Sequence, residues 1–199
     1  MIIATVLKTG GEYQEKHVEW LRDQCEKHIP QGHFTCLTNG NPDCHTIPLT
    51  ENLPGWWSKM ELFRLEGPVL YFDLDTMIVG SCDHWLEKIK NNKFVLLRDV
   101  YRGKRNNHAM GSGIMYWSGD MSSVWDAYCE DGMPTDVPGG DQSYLEAAVR
   151  TAEYIQDFTD DVVSYKAQIR DGNYKKQNAS VIYFHGKPRP WEQNEILVV

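Results

Sequence analysis

The chain has 199 residues, 41% of them hydrophobic and 12% aromatic, which is enough for one sizeable core and too short for two comfortable domains. A formal net charge of -8 sets the surface against phosphate polymers and anionic membranes. Broad nucleic-acid binding is therefore excluded, and an anionic ligand must be held by a few local cations. The five cysteines contain no Cys-x-x-Cys pair, which argues against a disulfide framework or zinc ribbon and fits a reducing cytoplasm.

In chain order, "MIIATVLKTGG" is a short apolar run with no cationic leader and no small-residue cleavage site, so it reads as a first strand. No stretch reaches transmembrane length. A helix-like pattern over 12–28 follows, then a strand "HFTCLT", a loop over 38–56, a helix over 57–65 and a strand "VLYFDL". The second half predicts a short helix "DHWLEKIK", a strand "KFVLL", a loop over 99–112 and a strand "GIMYW". Helices over 120–130 and 141–151 flank a loop over 131–140, and the strands "AEYIQDF" and "SVIYF" come last. Short apolar runs alternating with amphipathic stretches predict one α/β domain over 1–199. Loops this long in a small domain usually build a site or a lid.

The chemistry concentrates at strand ends. In "LYFDLDTMIVG" a buried strand closes on Asp73 and Asp75, whose i, i+2 spacing points both carboxylates toward one place. They repel unless a cation joins them, and the carboxyl end of a strand is where open α/β sheets bind ligands. "SVIYF" ends similarly in "HGKPRPW", delivering His185 and then Lys187. An imidazole beside two carboxylates suits Mn²⁺ better than Mg²⁺ or Ca²⁺. Each signal has a bland counterpart: a solvated strand end for the aspartates, a packed histidine for His185. The basic loop "YRGKRNNH" (101–108) either closes over an anionic ligand or meets an anionic acceptor, or is a solvated face, the commoner role of a charge run.

Taken in order, "WWSKMELFRL", "LYFDLDTMIVG", "MGSGIMYW", "GGDQSYL" and "HGKPRPW" resemble the glycogenin-like family 8 glycosyltransferases, from about Ile2 to Trp191. The resemblance implies a GT-A, Rossmann-like fold with a mixed, mostly parallel sheet flanked by helices. It implies a nucleotide-diphospho-sugar donor such as a UDP-hexose, bound Mn²⁺ (or Mg²⁺), and transfer with retention to an undefined acceptor: a glycan, a protein or a small molecule. Asp73 and Asp75 match the family's metal-binding pair, and His185 the histidine completing the metal shell. Lys187 resembles a lysine that contacts the diphosphate, with Arg189 as a substitute because the spacing is shortened here. Lys59 resembles a helix lysine reaching the donor, and its stripe of Trp56, Met60 and Phe63 at i, i+4, i+7 places it off the packed face. Asp99 matches a sugar-contacting carboxylate, and Thr9 joins the donor-binding set. Gly111 stands where the family has asparagine, so either Ser112 makes that contact or it is lost. Asp141 and Gln142 match the pair nearest the anomeric carbon, although Gly-Gly-Asp before a helix is also an ordinary N-cap. "GWW" at 55–57 either stacks a sugar or packs at a helix start. Three other readings stay open: a haloacid-dehalogenase-type phosphatase with Asp73 as nucleophile and Asp75 as general acid, a nucleotidyltransferase, and a non-catalytic sugar-nucleotide binding protein.

Overall fold

The computed structural model describes residues 1–193 except Arg105 and Asn107. Ile2–Leu7 forms β1, which pairs in parallel on one side with β2 (His33–Thr38) and on the other with β4 (Val69–Phe72). Beyond β2 lies parallel β3 (His45–Pro48), inside the segment expected to be loop. Its burial is too poor for an apolar pattern to reveal it: two of its four residues are histidine and threonine, both exposed. Beyond β4 come antiparallel β7 (Met110–Trp117), then β6 (Phe94–Arg98), then parallel two-residue β8 (Glu153–Tyr154). The seven-stranded sheet is therefore ordered β3-β2-β1-β4-β7-β6-β8 and is mostly parallel. A second sheet, β5-β10-β9, joins Thr76–Ile78 (β5), Val162–Ser164 (β9) and Val181–Tyr183 (β10). "AEYIQDF" is thus a strand only at its start; Ile155–Asp157 turns as a 3₁₀ helix.

Strand alternation sorts the core into two layers. Ile3, Leu7, Leu70, Phe72, Val95 and Leu97 pack with Val18, Leu21 and Cys25 of α1 (Glu15–His28) and with Trp85 and Ile89 of α2 (Asp83–Ile89). Ala4, Val69, Tyr71, Leu96 and Met115 face the other way, against Val124 and Tyr128 of α3 (Ser122–Glu130) and Tyr144 and Leu145 of α4 (Gly140–Ala148). A smaller cluster around Met77, Val163, Ile182 and Phe184 holds the second sheet.

The segment expected as a regular helix over 57–65 is a 3₁₀ helix, Gly55–Arg64. With three residues per turn, the packed row is i, i+3, i+6. Trp57, Met60 and Phe63 fill it, all buried, and Trp57 stacks on Tyr128 with ring centroids 5.9 Å apart. Trp56 is displaced from the expected stripe into the next row, which it shares with Lys59, and is 64% exposed. Glu61, fully buried, anchors the segment: its carboxylate accepts from Thr50 N (2.8 Å) and Glu51 N (3.0 Å) and pairs with Arg64 at 2.5 Å.

Candidate active site

Because β2 lies on one side of β1 and β4 on the other, the chain reverses direction across the sheet at β1, and a crevice opens beyond the carboxyl ends of these two strands. A cavity of about 640 Å³ occupies it. Its walls are the turn after β4 (Asp73–Asp75), the chain after β1 (Gly11–Tyr13), Asp99 after β6, Gly111–Gly113 of β7, Asp141 and Gln142 of α4, and His185 and Arg189 after β10. A second cavity of about 610 Å³, between Lys93, Glu146, Arg150 and Glu153, shares none of these residues.

At the floor, Lys59 is buried to 6% exposure, contrary to the expectation that it leaves the packed face. Its ammonium lies 2.9 Å from Asp73 Oδ1 and 3.4 Å from Asp141 Oδ2, and it donates to Ser112 Oγ at 3.1 Å. Burial alone would lower the lysine pKa; the carboxylates of Asp141 and Asp73 outweigh it and hold the pKa above the usual range, so the ammonium stays charged. Ser112 Oγ donates to Asp141 Oδ2 at 2.6 Å, and Asp73 also accepts from the Tyr71 hydroxyl. Four expected site residues, Lys59, Asp73, Ser112 and Asp141, thus form one network. Two backbone features aim it. The register of β6 on β7 jumps from Leu96↔Met115 to Leu97↔Gly111, a bulge that turns the Ser112 segment toward the cavity. Gly139 and Gly140 enter α4 at φ of 90° and 70°, a left-handed conformation that glycine adopts without a Cβ penalty. Asp141 is consequently inside the first helical turn with its carboxylate on Ser112 and Lys59, and the N-cap reading fails.

Along one wall, Asp99 Oδ1 accepts from Tyr101 N and Arg102 N, each at 2.9 Å, and Oδ2 pairs with the Arg102 guanidinium at 2.9 Å. Burial would raise this carboxyl, but those bonds hold it below its ordinary value. Arg102 also donates to Gln142 Oε1 at 2.9 Å and pairs with Glu146 at 2.9 Å. Arg102 thus ties Asp99 to Gln142 behind the cavity wall, a role that its place in a basic run does not reveal; only the fold brings it Gln142 and Glu146.

Asp75, 4% exposed, accepts from the Tyr13 hydroxyl at 3.0 Å and is ion-paired to Arg189. Burial, followed by repulsion from Asp73, pushes its carboxyl up to about 6. His185 shares the cavity but bonds Ser164 Oγ through Nε2 at 2.8 Å, and burial lowers its pKa. The expected metal shell of Asp73, Asp75 and His185 is therefore not assembled: Lys59 and Arg189 already match the two carboxylates, and among the described residues no three His, Cys, Asp or Glu side chains come together to hold an ion. Two further expectations are displaced. Lys187, 65% exposed at its side chain, turns to Glu12 (2.8 Å) and Glu192 (2.7 Å), and Arg189 takes the cavity wall instead. Thr9 is exposed outside the cavity wall, its amide donating to Asn39 Oδ1 at 2.8 Å.

Among the described residues the five cysteines are free, and no helix is long and apolar enough to cross a membrane. No protein-family model matches the chain, and no curated protein matches it in sequence. Solved structures do. An active-site mutant of LgtC superposes with a TM-score of 0.67 at 11% identity, over 98% of this chain and 90% of that one. The galactosyltransferase LgtC with donor and acceptor sugar analogs gives 0.66 at 11%, over 99% and 91%. The glycosyltransferase GlyE of Streptococcus pneumoniae TIGR4 gives 0.69 at 14%, over 96% of this chain and 56% of that one. At such identities the likeness is one of fold, and the chain has the GT-A fold of these glycosyltransferases, a mostly parallel seven-stranded sheet flanked by helices.

Proposed function

We propose that the protein is a glycosyltransferase that binds a nucleotide-sugar donor, a UDP-hexose, in the 640 Å³ cavity and transfers the sugar with retention of configuration to an acceptor entering past Trp56. The observation that carries this reading is the Asp73–Lys59–Asp141 network with Ser112, buried at Lys59, Ser112 and Asp141 and open to the cavity at Asp73, set at the carboxyl ends of β1 and β4. Two carboxylates sharing one ammonium leave a net negative site rich in acceptor oxygens, which suits the O–H donors of a sugar. Lys59 positions both. Gln142, its oxygen engaged by Arg102, keeps the amide nitrogen as the donor end. As the sugar bond breaks, negative charge builds on the leaving diphosphate, and a cation fixed beside the Asp73–Asp75 turn stabilises it more in the transition state than in the ground state. Trp56, exposed at the mouth, offers an aromatic face to the acceptor.

The phosphatase alternative is less well supported. It needs Asp73 to attack, whereas Asp73 is engaged by Tyr71 and Lys59, and its motif follows β4, not the first strand. The test is UDP release from a panel of UDP-hexoses, with and without candidate acceptors. Turnover of one donor is expected, and Asp141→Asn should reduce it by about 100-fold or more. Tight donor binding with no release under any condition would make the protein a binding module.

A further inference from the structure

The segment after β10 returns across the cavity mouth and inserts one side chain. Arg189 Nη1 donates to Asp75 Oδ2; Nη2 donates to Glu12 Oε2 at 2.9 Å, and Nε to Glu12 Oε1 at 3.4 Å. The guanidinium lies 5.0 Å over the Tyr13 ring, and two residues on, Trp191 stacks on His17 at 4.0 Å and 9°. The side chain of Arg189 is 14% exposed and lines the same cavity as Asp73, Asp75 and His185. We propose that this fixed guanidinium takes the place of a divalent metal at the Asp-x-Asp turn, so that the protein binds a nucleoside diphosphate without metal and holds the diphosphate on Arg189.

Several observations converge on this. A divalent ion on Asp75 would share its carboxylate with a guanidinium that never loses its charge. Moving Arg189 aside would break its ion pairs to Asp75 and Glu12 and its stacking on Tyr13 together. His185, the expected third ligand, is bonded to Ser164. The three bonds described above leave two of the guanidinium's five N–H donors for phosphate oxygens, one on Nη1 and one on Nη2. One positive charge fixed by the fold at the leaving group needs no reorganisation when charge develops there.

The inference rests on the reading of this cavity as a donor site, and calorimetric titration separates the two. UDP titrated into wild-type protein should bind with affinities agreeing within about threefold in EDTA and in Mn²⁺, and Mn²⁺ alone should show no saturable site. Arg189→Ala should weaken UDP binding in EDTA by about 10- to 100-fold, from the loss of a charged hydrogen-bond donor. Arg189→Lys, which keeps the charge and loses the fork, should fall between. Wild-type binding that requires Mn²⁺, or a tight stoichiometric Mn²⁺ site, overturns the inference and leaves the donor site standing. Unchanged UDP affinity in a folded Arg189→Ala protein also overturns it. Absence of binding for UDP, GDP, ADP and CDP under both conditions overturns the donor-site reading and the inference with it.

Discussion

Lys59 carries the most consequence of any single residue. Its ammonium pairs with two carboxylates, one of them, Asp141, almost fully buried. Removing one partner of a buried ion network leaves an uncompensated charge, which typically costs about 3–5 kcal/mol. Lys59→Met should therefore lower unfolding free energy by about that amount in urea titration; a loss below about 1 kcal/mol would show that the network is not what holds the cavity floor. Trp56 is the contrasting case. It is 64% exposed, so Trp56→Ala should leave the melting temperature unchanged and raise the acceptor KM several-fold, with donor affinity intact. A change confined to donor affinity would remove it from the acceptor path. The Asp73 and Asp75 positions were legible because they close an apolar strand, and Lys59, Ser112, Asp141 and Gln142 through the ordered motifs that carry the family resemblance; all six line one cavity. Arg102, Glu12 and Tyr13 were not, because their partners lie far off in sequence or in a different element: Asp75 is reached by Tyr13 across 62 positions, and Gln142 by Arg102 across 40.

Among the elements, strands with continuous apolar burial, such as β1, β4 and β6, were readable, and β3, β5, β9 and most of "AEYIQDF" were not. A three-residue strand such as Thr76–Ile78 or Val162–Ser164 is too short to show a period and exists only because β10 lies beside it. The 3₁₀ helix was legible as helix but not in its period, and that difference of period puts Trp57 rather than Trp56 in the packed row with Met60 and Phe63. The segment after β10 is held partly through α1. There His17 accepts from Gln14 N through Nδ1 at 3.0 Å and stacks on Trp191. Burial, with the nearby Lys16 charge, lowers the His17 pKa below its ordinary 6.5, against a smaller opposing effect of Glu12. Since the fold prefers the neutral ring and the unfolded chain takes up the proton first, this contribution to stability is complete above about pH 6.5 and is lost as pH falls through the lowered value. A proton on Nδ1 would also break the bond to Gln14 and place positive charge at a helix N-terminus. Melting temperature should therefore fall more steeply on acidification from about pH 7.5 to 5 in wild type than in His17→Gln. Parallel curves would exclude His17 as the cause.

At the scale of the whole molecule, two sheets meet at the turn Asp73–Asp75: β4 of the large sheet leads in, and β5 of the small one leads out. The cavity is thus walled by both sheets, the large one supplying Asp73, Asp99 and Ser112 and the segment after the small one supplying His185 and Arg189. An acidic protein with net charge -8 binds an anionic donor only through such local cations, so ionic strength should weaken donor binding modestly rather than abolish it. A donor seated in this cavity leaves a footprint in hydrogen exchange read by mass spectrometry with and without a UDP-hexose. Exchange should slow in peptides covering 70–78, 110–117 and 139–145, with 149–154 at the second cavity unchanged. Protection centred on 149–154, with the Asp73–Asp75 turn unaffected, would contradict this placement of the donor.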